Sequence, residues 1–219
     1  ELKWVNVPID DNDMFFTHKN VEGREEYRAG FSLEELFPLI STGIATMGDG
    51  FIVDENKQVV FERVTKLASD TYEEKTLQKE FNLGKNYAKF VLSHNTELKP
   101  DQGSLISIGY RPFDQRWTYF DKKVLWRWRE LTSRHFIKGK NIGIVFRRQQ
   151  LPERQSYYFI CDEMIADGYI RSDSKGGESI APLYLYSDSG DEKIPNFNPD
   201  QIKLFTAHLR KDWTPENIL

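Results

Sequence analysis

One cysteine, Cys161, stands in 219 residues, so no disulfide can close within the chain. The four histidines, His18, His94, His135 and His208, are scattered without zinc-ligand spacing, which excludes a recognisable zinc site. Each is expected at the surface. No apolar run approaches the ~18 residues that a membrane helix needs. No positively charged, apolar, cleavable stretch opens the sequence at Glu1, and a cytoplasmic location is expected. The sequence has no Gly-x-Ser-x-Gly elbow, no Walker lysine loop and no Asn-Pro-Pro-Tyr/Phe methyltransferase motif. Cys161 sits in an apolar strand-like run, where a thiol is usually inert packing. Internal repeats and low-complexity segments are also missing.

What is present describes a folded protein. Apolar residues make up 39% and aromatics 14% of the chain, enough for one sizeable core or two small ones. The first residue is Glu rather than Met, and the run from Trp213 to Leu219 stops as a new element begins, so a fragment of a longer chain is expected. The overall charge of −4 conceals an uneven distribution. Between Arg111 and Arg154 there are twelve basic and four acidic residues, a net +8, which leaves −12 for the remainder. Such a split suits a polyanion-binding face on a body kept soluble by its other charges. A solvated surface with salt bridges to the acidic flanks satisfies the same count.

Along the chain, an apolar stretch from Trp4 to Ile9 precedes a polar loop from Asp10 to Asp13. Ser32-Leu-Glu-Glu35 has capping-box form, which predicts a short helix limited by Pro38 and ended by Thr42-Gly43. Gly43-Ile-Ala-Thr-Met-Gly-Asp-Gly50 is glycine-rich but lacks the ending of a phosphate loop and the spacing of a dinucleotide fingerprint. Phe51-Ile-Val53 reads as a strand. From Gln58 to His94 apolar residues recur at helical spacing: Val60, Val64, Leu67, then Leu77 and Phe81, then Tyr87 and Val91. Five short aromatic and β-branched runs follow, at 104–110, 116–120, 142–146, 157–161 and 182–186, and read as strands of one sheet. A helix is predicted through Glu130 to Phe136, and Asn198-Pro-Asp-Gln201 starts a last helix running to about Arg210. The fold class is α+β, with a mainly helical part over residues 1–103 and a sheet-rich part over 104–219 forming one compact unit.

One catalytic pattern needs weighing. Pro100-Asp101 followed by Asp121-Lys-Lys123 matches the loose Pro-Asp…Asp-x-Lys form of metal-dependent nucleases, in which two carboxylates hold a divalent ion beside a lysine. Lys99-Pro-Asp-Gln-Gly103 is equally ordinary turn chemistry, and Asp121-Lys-Lys suits a connection after Phe120.

The run Tyr110-Arg-Pro-Phe-Asp-Gln-Arg-Trp-Thr-Tyr119 is more specific. A turn at Arg111, Pro112, Phe113 and Asp114 lets Asp114 accept from Arg111 or Arg116 while the aromatics anchor the bend. Tyr110, Arg111, Pro112, Phe113, Asp114, Arg116 and Trp117 together resemble the signature of the C-terminal specificity domain of Type ISP restriction-modification enzymes. Arg127-Trp-Arg129, Asn141-Ile-Gly143 with Arg147, and Ala181-Pro-Leu-Tyr-Leu-Tyr186 are similar to motifs that follow in that family. Upstream, Leu36-Phe-Pro-Leu-Ile-Ser-Thr-Gly-Ile-Ala-Thr-Met-Gly-Asp49 is similar to the family's Gly-Ile-x-Thr-x-x-Asp loop after the methyltransferase.

The resemblance implies a module that chooses the DNA sequence within a long polypeptide, beside a nuclease, a helicase-like motor and an adenine-N6 methyltransferase. Residues 1–103 would then follow the methyltransferase, and further helices would lie beyond Leu219. S-adenosylmethionine, ATP and magnesium would serve the parent enzyme, with no cofactor or metal in this chain. Double-stranded DNA and the neighbouring methyltransferase and helicase domains would be its partners. The DNA-binding candidates are Arg127, Arg129, Arg134, Lys138, Lys140, Arg147, Arg148, Arg154 and Lys175; the Tyr110–Trp117 motif is expected to be structural. Two other classes stay open, a small nuclease using Asp101, Asp121 and Lys123, and a coupler whose basic face meets an acidic domain.

Overall fold

The computed structural model describes residues 3, 4, 6, 22–69, 72–147, 158–170, 177–207 and 213–217. The polar loop predicted over 10–13 lies outside them, as does most of the apolar run before it. Helix α1 (Arg24–Ala29) buries none of its residues. Helix α2 (Leu33–Leu36) is started by the predicted capping box: Ser32 Oγ accepts from the Glu35 N–H at 3.1 Å, and the Glu35 carboxylate accepts from the Ser32 N–H at 2.6 Å. It ends sooner than expected. Phe37 precedes Pro38 and is extended, as residues before proline tend to be, and Ser41–Thr42 forms strand β1 instead of a helix end.

Phe51 and Ile52 are likewise not strand. They complete a helical turn, α3 (Asp49–Ile52), in which the Gly48 carbonyl accepts from both of their N–H groups, and only Val53–Asp54 continues as β2. The predicted helical stretch comprises α4 (Lys57–Ala68), α5 (Glu74–Phe81) and α6 (Lys85–Leu92). Asn56 caps α4 by accepting from the Gln58 N–H at 2.9 Å, and Asn82 stops α5 in the left-handed region at φ 50°. Val60, Val64 and Leu67 of α4 face the core together with Leu77, Tyr87 and Val91. Phe51, Tyr72 and Phe81 meet edge to face with centroids 5.1–6.3 Å apart.

The predicted strands do not form one sheet. β3 (Leu105–Arg111) and β4 (Asp114–Tyr119) are an antiparallel hairpin, extended by β2 into a three-stranded sheet of order β2-β4-β3. β5 (Gly143–Phe146), β6 (Phe159–Cys161) and β7 (Ser179–Pro182) join β1 in a second antiparallel sheet of order β1-β7-β5-β6. Among the described residues β8 (Tyr184–Tyr186) pairs with β9 (Lys193–Pro195) alone. The run at 182–186 breaks at buried Leu183, whose N–H donates to Ile142 O and whose carbonyl accepts from Asn196 N–H, both at 2.8 Å. Helix α7 (Glu130–Ile137) follows the three-stranded sheet. Helix α8 (Pro199–Thr206) starts at Asn198 as predicted, with Ala207 as its C-cap; residues 208–212 lie outside the described residues.

Residues 164–167 stitch the two sheets together. Gly109 N–H donates to Met164 O at 3.0 Å and Ala166 N–H to Gly109 O at 2.9 Å, while Ile44 N–H donates to Ile165 O at 2.8 Å and Asp167 N–H to Ile44 O at 2.7 Å. The segment is therefore bonded to β3 on one side and to the glycine-rich loop on the other. A Cβ on Gly43 would stand 2.6 Å from the Ala166 backbone, so this approach requires glycine. The main core runs across the seam, from Val60 and Tyr87 through Ile108 to Ile165 and Ile180. A smaller cluster around Phe37, Phe146, Leu183 and Phe197 lies beneath α2 and α8. Among the described residues no helix is long and apolar enough to cross a membrane.

Candidate nucleic-acid interface

The seam carries a basic cleft. Arg127 sits in an isolated antiparallel bridge, in which Ala45 and Arg127 exchange two backbone hydrogen bonds of 3.0 Å. Trp126 packs edge-on against Phe90 with ring centroids 5.2 Å apart and Trp128 lies tilted against Phe120 at 5.1 Å, whereas Arg127 and Arg129 line a cleft of about 490 Å³. Tryptophans anchor the segment to the scaffold and arginines face the opening.

Arg111, at the end of β3, adds a third guanidinium, and Thr42, Asp49 and Asp167 supply acceptors. Arg129 is in the left-handed region at φ 51° and donates from Nη2 to Thr42 Oγ1 at 2.5 Å. Its Nε is buried without a hydrogen-bond partner among the described residues. Burial, then the charge of Arg127, lowers the Arg129 pKa, and Asp167 opposes them. Asp49 is held by Thr46 Oγ1, and its other oxygen accepts from the Tyr110 hydroxyl at 2.8 Å. That contact and burial raise the Tyr110 pKa, burial contributing most. The glycine-rich loop is thus a wall of the cleft, its backbone engaged on both sides. Asp49 and Asp167 were not singled out from sequence; the Thr-Met-Gly-Asp motif carried the signal for Asp49.

The Tyr110–Trp117 motif forms the adjoining β3–β4 hairpin. Arg116 Nε donates to both oxygens of Asp114, at 3.1 and 3.2 Å, and the guanidinium carbons of Arg111 and Arg116 lie 4.0 and 4.5 Å from the Tyr110 ring centroid. Pro112 and Phe113 make the turn. Phe113 does not anchor it as expected: its side chain is 97% exposed and touches the edge of Phe159 at 6.3 Å.

The other candidates among the described residues do not converge on the cleft. Arg134 on α7 and Lys138, its C-cap, pair with Asp188 at 3.4 and 3.3 Å, beside the β8–β9 turn. Lys140 lines a separate cleft of about 760 Å³ together with Asp162 and Glu163. Arg147 is turned inward, its Nε 3.5 Å from a carboxylate oxygen of buried Glu178. Arg148, Arg154 and Lys175 lie outside the described residues.

The residues of the loose nuclease pattern do local work. Asp101 accepts from Gly103 N–H at 3.1 Å, Asp121 from Lys123 N–H at 2.8 Å, and Lys123 Nζ donates to the Glu97 carbonyl at 2.9 Å. No group of three metal-ligating side chains occurs among the described residues. His135, expected at the surface, is buried: its Nδ1 accepts from the Tyr186 N–H at 2.9 Å, tying α7 to β8.

Three solved structures share the fold. DrdV, in a cryo-electron-microscopy DrdV–DNA complex, aligns with TM-score 0.62 at 17% identity over 83% of this chain and 18% of that chain. A nuclease-deletion mutant of the Type ISP restriction-modification enzyme LlaGI, in complex with a DNA substrate mimic, gives 0.64 at 15% identity over 91% and 20%. The ATP-dependent Type ISP restriction-modification enzyme LlaBIII, bound to DNA, gives 0.58 at 16% identity over 83% and 12%. The chain thus spans at most a fifth of the length of these proteins. No curated protein matches its sequence. The family model for the Type ISP C-terminal specificity domain matches residues 35–219, and the chain belongs to that family.

Proposed function

We propose that this chain is the DNA target-recognition module of a Type ISP restriction-modification enzyme, holding duplex DNA for an adenine-N6 methyltransferase and a helicase-nuclease elsewhere in the parent polypeptide. The observation that carries this reading is the alternation from Trp126 to Arg129, which directs Arg127 and Arg129 into one cleft with Arg111. Guanidinium groups suit phosphate oxygens and, bidentately, the O6 and N7 edge of guanine. Asp167, exposed at the same cleft, is an acceptor for an exocyclic amine. The chain itself would turn over no substrate. S-adenosylmethionine, ATP and magnesium would bind the catalytic domains of the parent enzyme, which works in the cytoplasm.

Fluorescence anisotropy of the chain with labelled duplex DNA tests this reading. Affinity should fall with salt at a log–log slope of about −0.9 per phosphate contacted. Binding that is absent, or indifferent to salt, would exclude it. Magnesium-dependent plasmid cleavage that disappears in Asp121→Ala would favour a nuclease instead.

A further inference from the structure

Resting on that reading, we infer that Phe113 is a stacking wedge, an aromatic ring that the β3–β4 hairpin inserts against a base of the bound duplex. Phe113 is 97% exposed, the highest value among the large apolar residues described. It occupies the second position of a two-residue turn after Pro112, at φ 66°, a conformation that favours glycine. The chain therefore keeps a bulky aromatic where both backbone geometry and solvent disfavour it. Packing does not account for it, since its aromatic contact among the described residues is one edge-on approach to Phe159.

The support beneath the ring is stiff. Arg111 and Arg116 both lie over Tyr110, Arg116 is held by Asp114, and the Tyr110 hydroxyl is fixed to Asp49. Arg111, two residues before Phe113, precedes the turn and also lines the basic cleft, so the hairpin that carries the ring adjoins that cleft. Two guanidinium groups at the base of a protruding aromatic match a polyanion with π faces to offer, and favour a nucleic acid over an apolar pocket of a neighbouring domain. Side chains that enter a base step in this way partly unstack it and kink the duplex. Stacking reads no sequence, because every base has a π face. The hairpin would thus grip and deform DNA while the cleft discriminates.

The test compares wild type with Phe113→Ala, Phe113→Gly and Phe113→Trp by anisotropy on a mixed-sequence duplex, and by topoisomerase relaxation of closed-circular plasmid in their presence. The wedge predicts that Ala and Gly weaken binding by about 5- to 150-fold, the range for loss of one base–aromatic stack. The salt slope should stay constant, since no charge is removed, and the topoisomer shift produced by wild type should vanish. Tryptophan should retain both properties. The Gly variant should melt no lower than wild type, because it relieves a left-handed residue. Ala and Gly variants that bind and unwind like wild type would overturn the wedge while leaving DNA recognition standing, and would assign the ring to a protein neighbour. A loss accompanied by a lower melting temperature in both variants would overturn it as a folding effect. Wild type that binds no duplex would remove the proposed function, and the wedge with it.

Discussion

Arg147 Nε lies 3.5 Å from Oε1 of Glu178, whose side chain is wholly buried. Burial pushes the pKa of that carboxyl up from the ordinary 4.5, against backbone hydrogen bonds from Ile170 and Glu178 and the pull of Arg147. The arginine is the counter-charge that lets a carboxylate sit at the base of β7. It is not available to a phosphate in this arrangement.

Arg147→Ala should therefore destabilise the fold by roughly 3–5 kcal/mol, the usual cost of stranding one member of a buried pair. The pH dependence has a definite sign. A carboxyl whose folded pKa is raised favours the native state while protonated, and that advantage is lost as the pH climbs through the folded value. The deficit of Arg147→Ala should thus widen toward alkaline pH and narrow as the pH falls toward 4.5. Thermal melts at several pH values check this; a deficit independent of pH would mean that Glu178 is not the group left exposed to the loss.

The Arg116–Asp114 pair differs because its side chains remain 31% and 34% exposed. Such a pair contributes about 0.2–1 kcal/mol, and the cation–π contact with Tyr110 about 0.5–1 more. Arg116→Ala is expected to lower the melting temperature by a few degrees, less than a buried network would cost. It should leave the methylated sequence of the parent enzyme unchanged, which sequencing of methylated bases in a strain carrying the intact gene would read.

Much of the helical architecture was legible because its determinants are local. The Ser32–Glu35 capping box, the Val60–Val64–Leu67 stripe and the Asn198-Pro199 start each lie within a few residues of what they specify. The partition into sheets was not legible. Ser41 pairs with Ile180 and Val53 with Thr118, and no short-range pattern says which of several similar apolar runs a strand will choose. The same distance hides the fates of basic residues. Arg127 and Arg147 look alike in sequence, yet one faces a cleft and the other a buried carboxylate just before β7, distant in sequence. Phe113 misled for the opposite reason: a turn aromatic normally packs, and only the backbone geometry sets this one apart.

His135 gives a second pH handle. Burial, and then the charges of Arg134 and Lys138, lower its pKa from 6.5, with Asp188 opposing them. A histidine with a depressed folded pKa takes up its proton more readily in the unfolded chain, so stability is complete above 6.5 and declines as the pH falls below that value toward the folded pKa. Replacing it in His135→Asn, which keeps an acceptor near the Tyr186 N–H, should flatten the melting temperature between neutral and mildly acidic pH. An unaltered acid slope would place its origin in other groups.

The two arginines of the cleft should separate binding from stability. Arg127 holds its bridge to Ala45 through the backbone, and its side chain is exposed, so Arg127→Glu should fold as wild type does. If it meets one phosphate, the log–log salt slope should become shallower by about 0.9. Arg129 is different, because it donates to Thr42 and has a buried Nε. Removing it in Arg129→Ala gives up a hydrogen bond worth about 1 kcal/mol, so a small loss of stability should accompany weaker binding. If Arg129 also reads a guanine edge, discrimination among duplexes should fall by about 1–3 kcal/mol, an effect that Arg127→Glu would not reproduce. Anisotropy over a salt series, with melting curves for both variants, distinguishes these outcomes. Unchanged slopes in both would move the phosphates away from this cleft, because its two most directly presented charges would then have no part in holding the DNA.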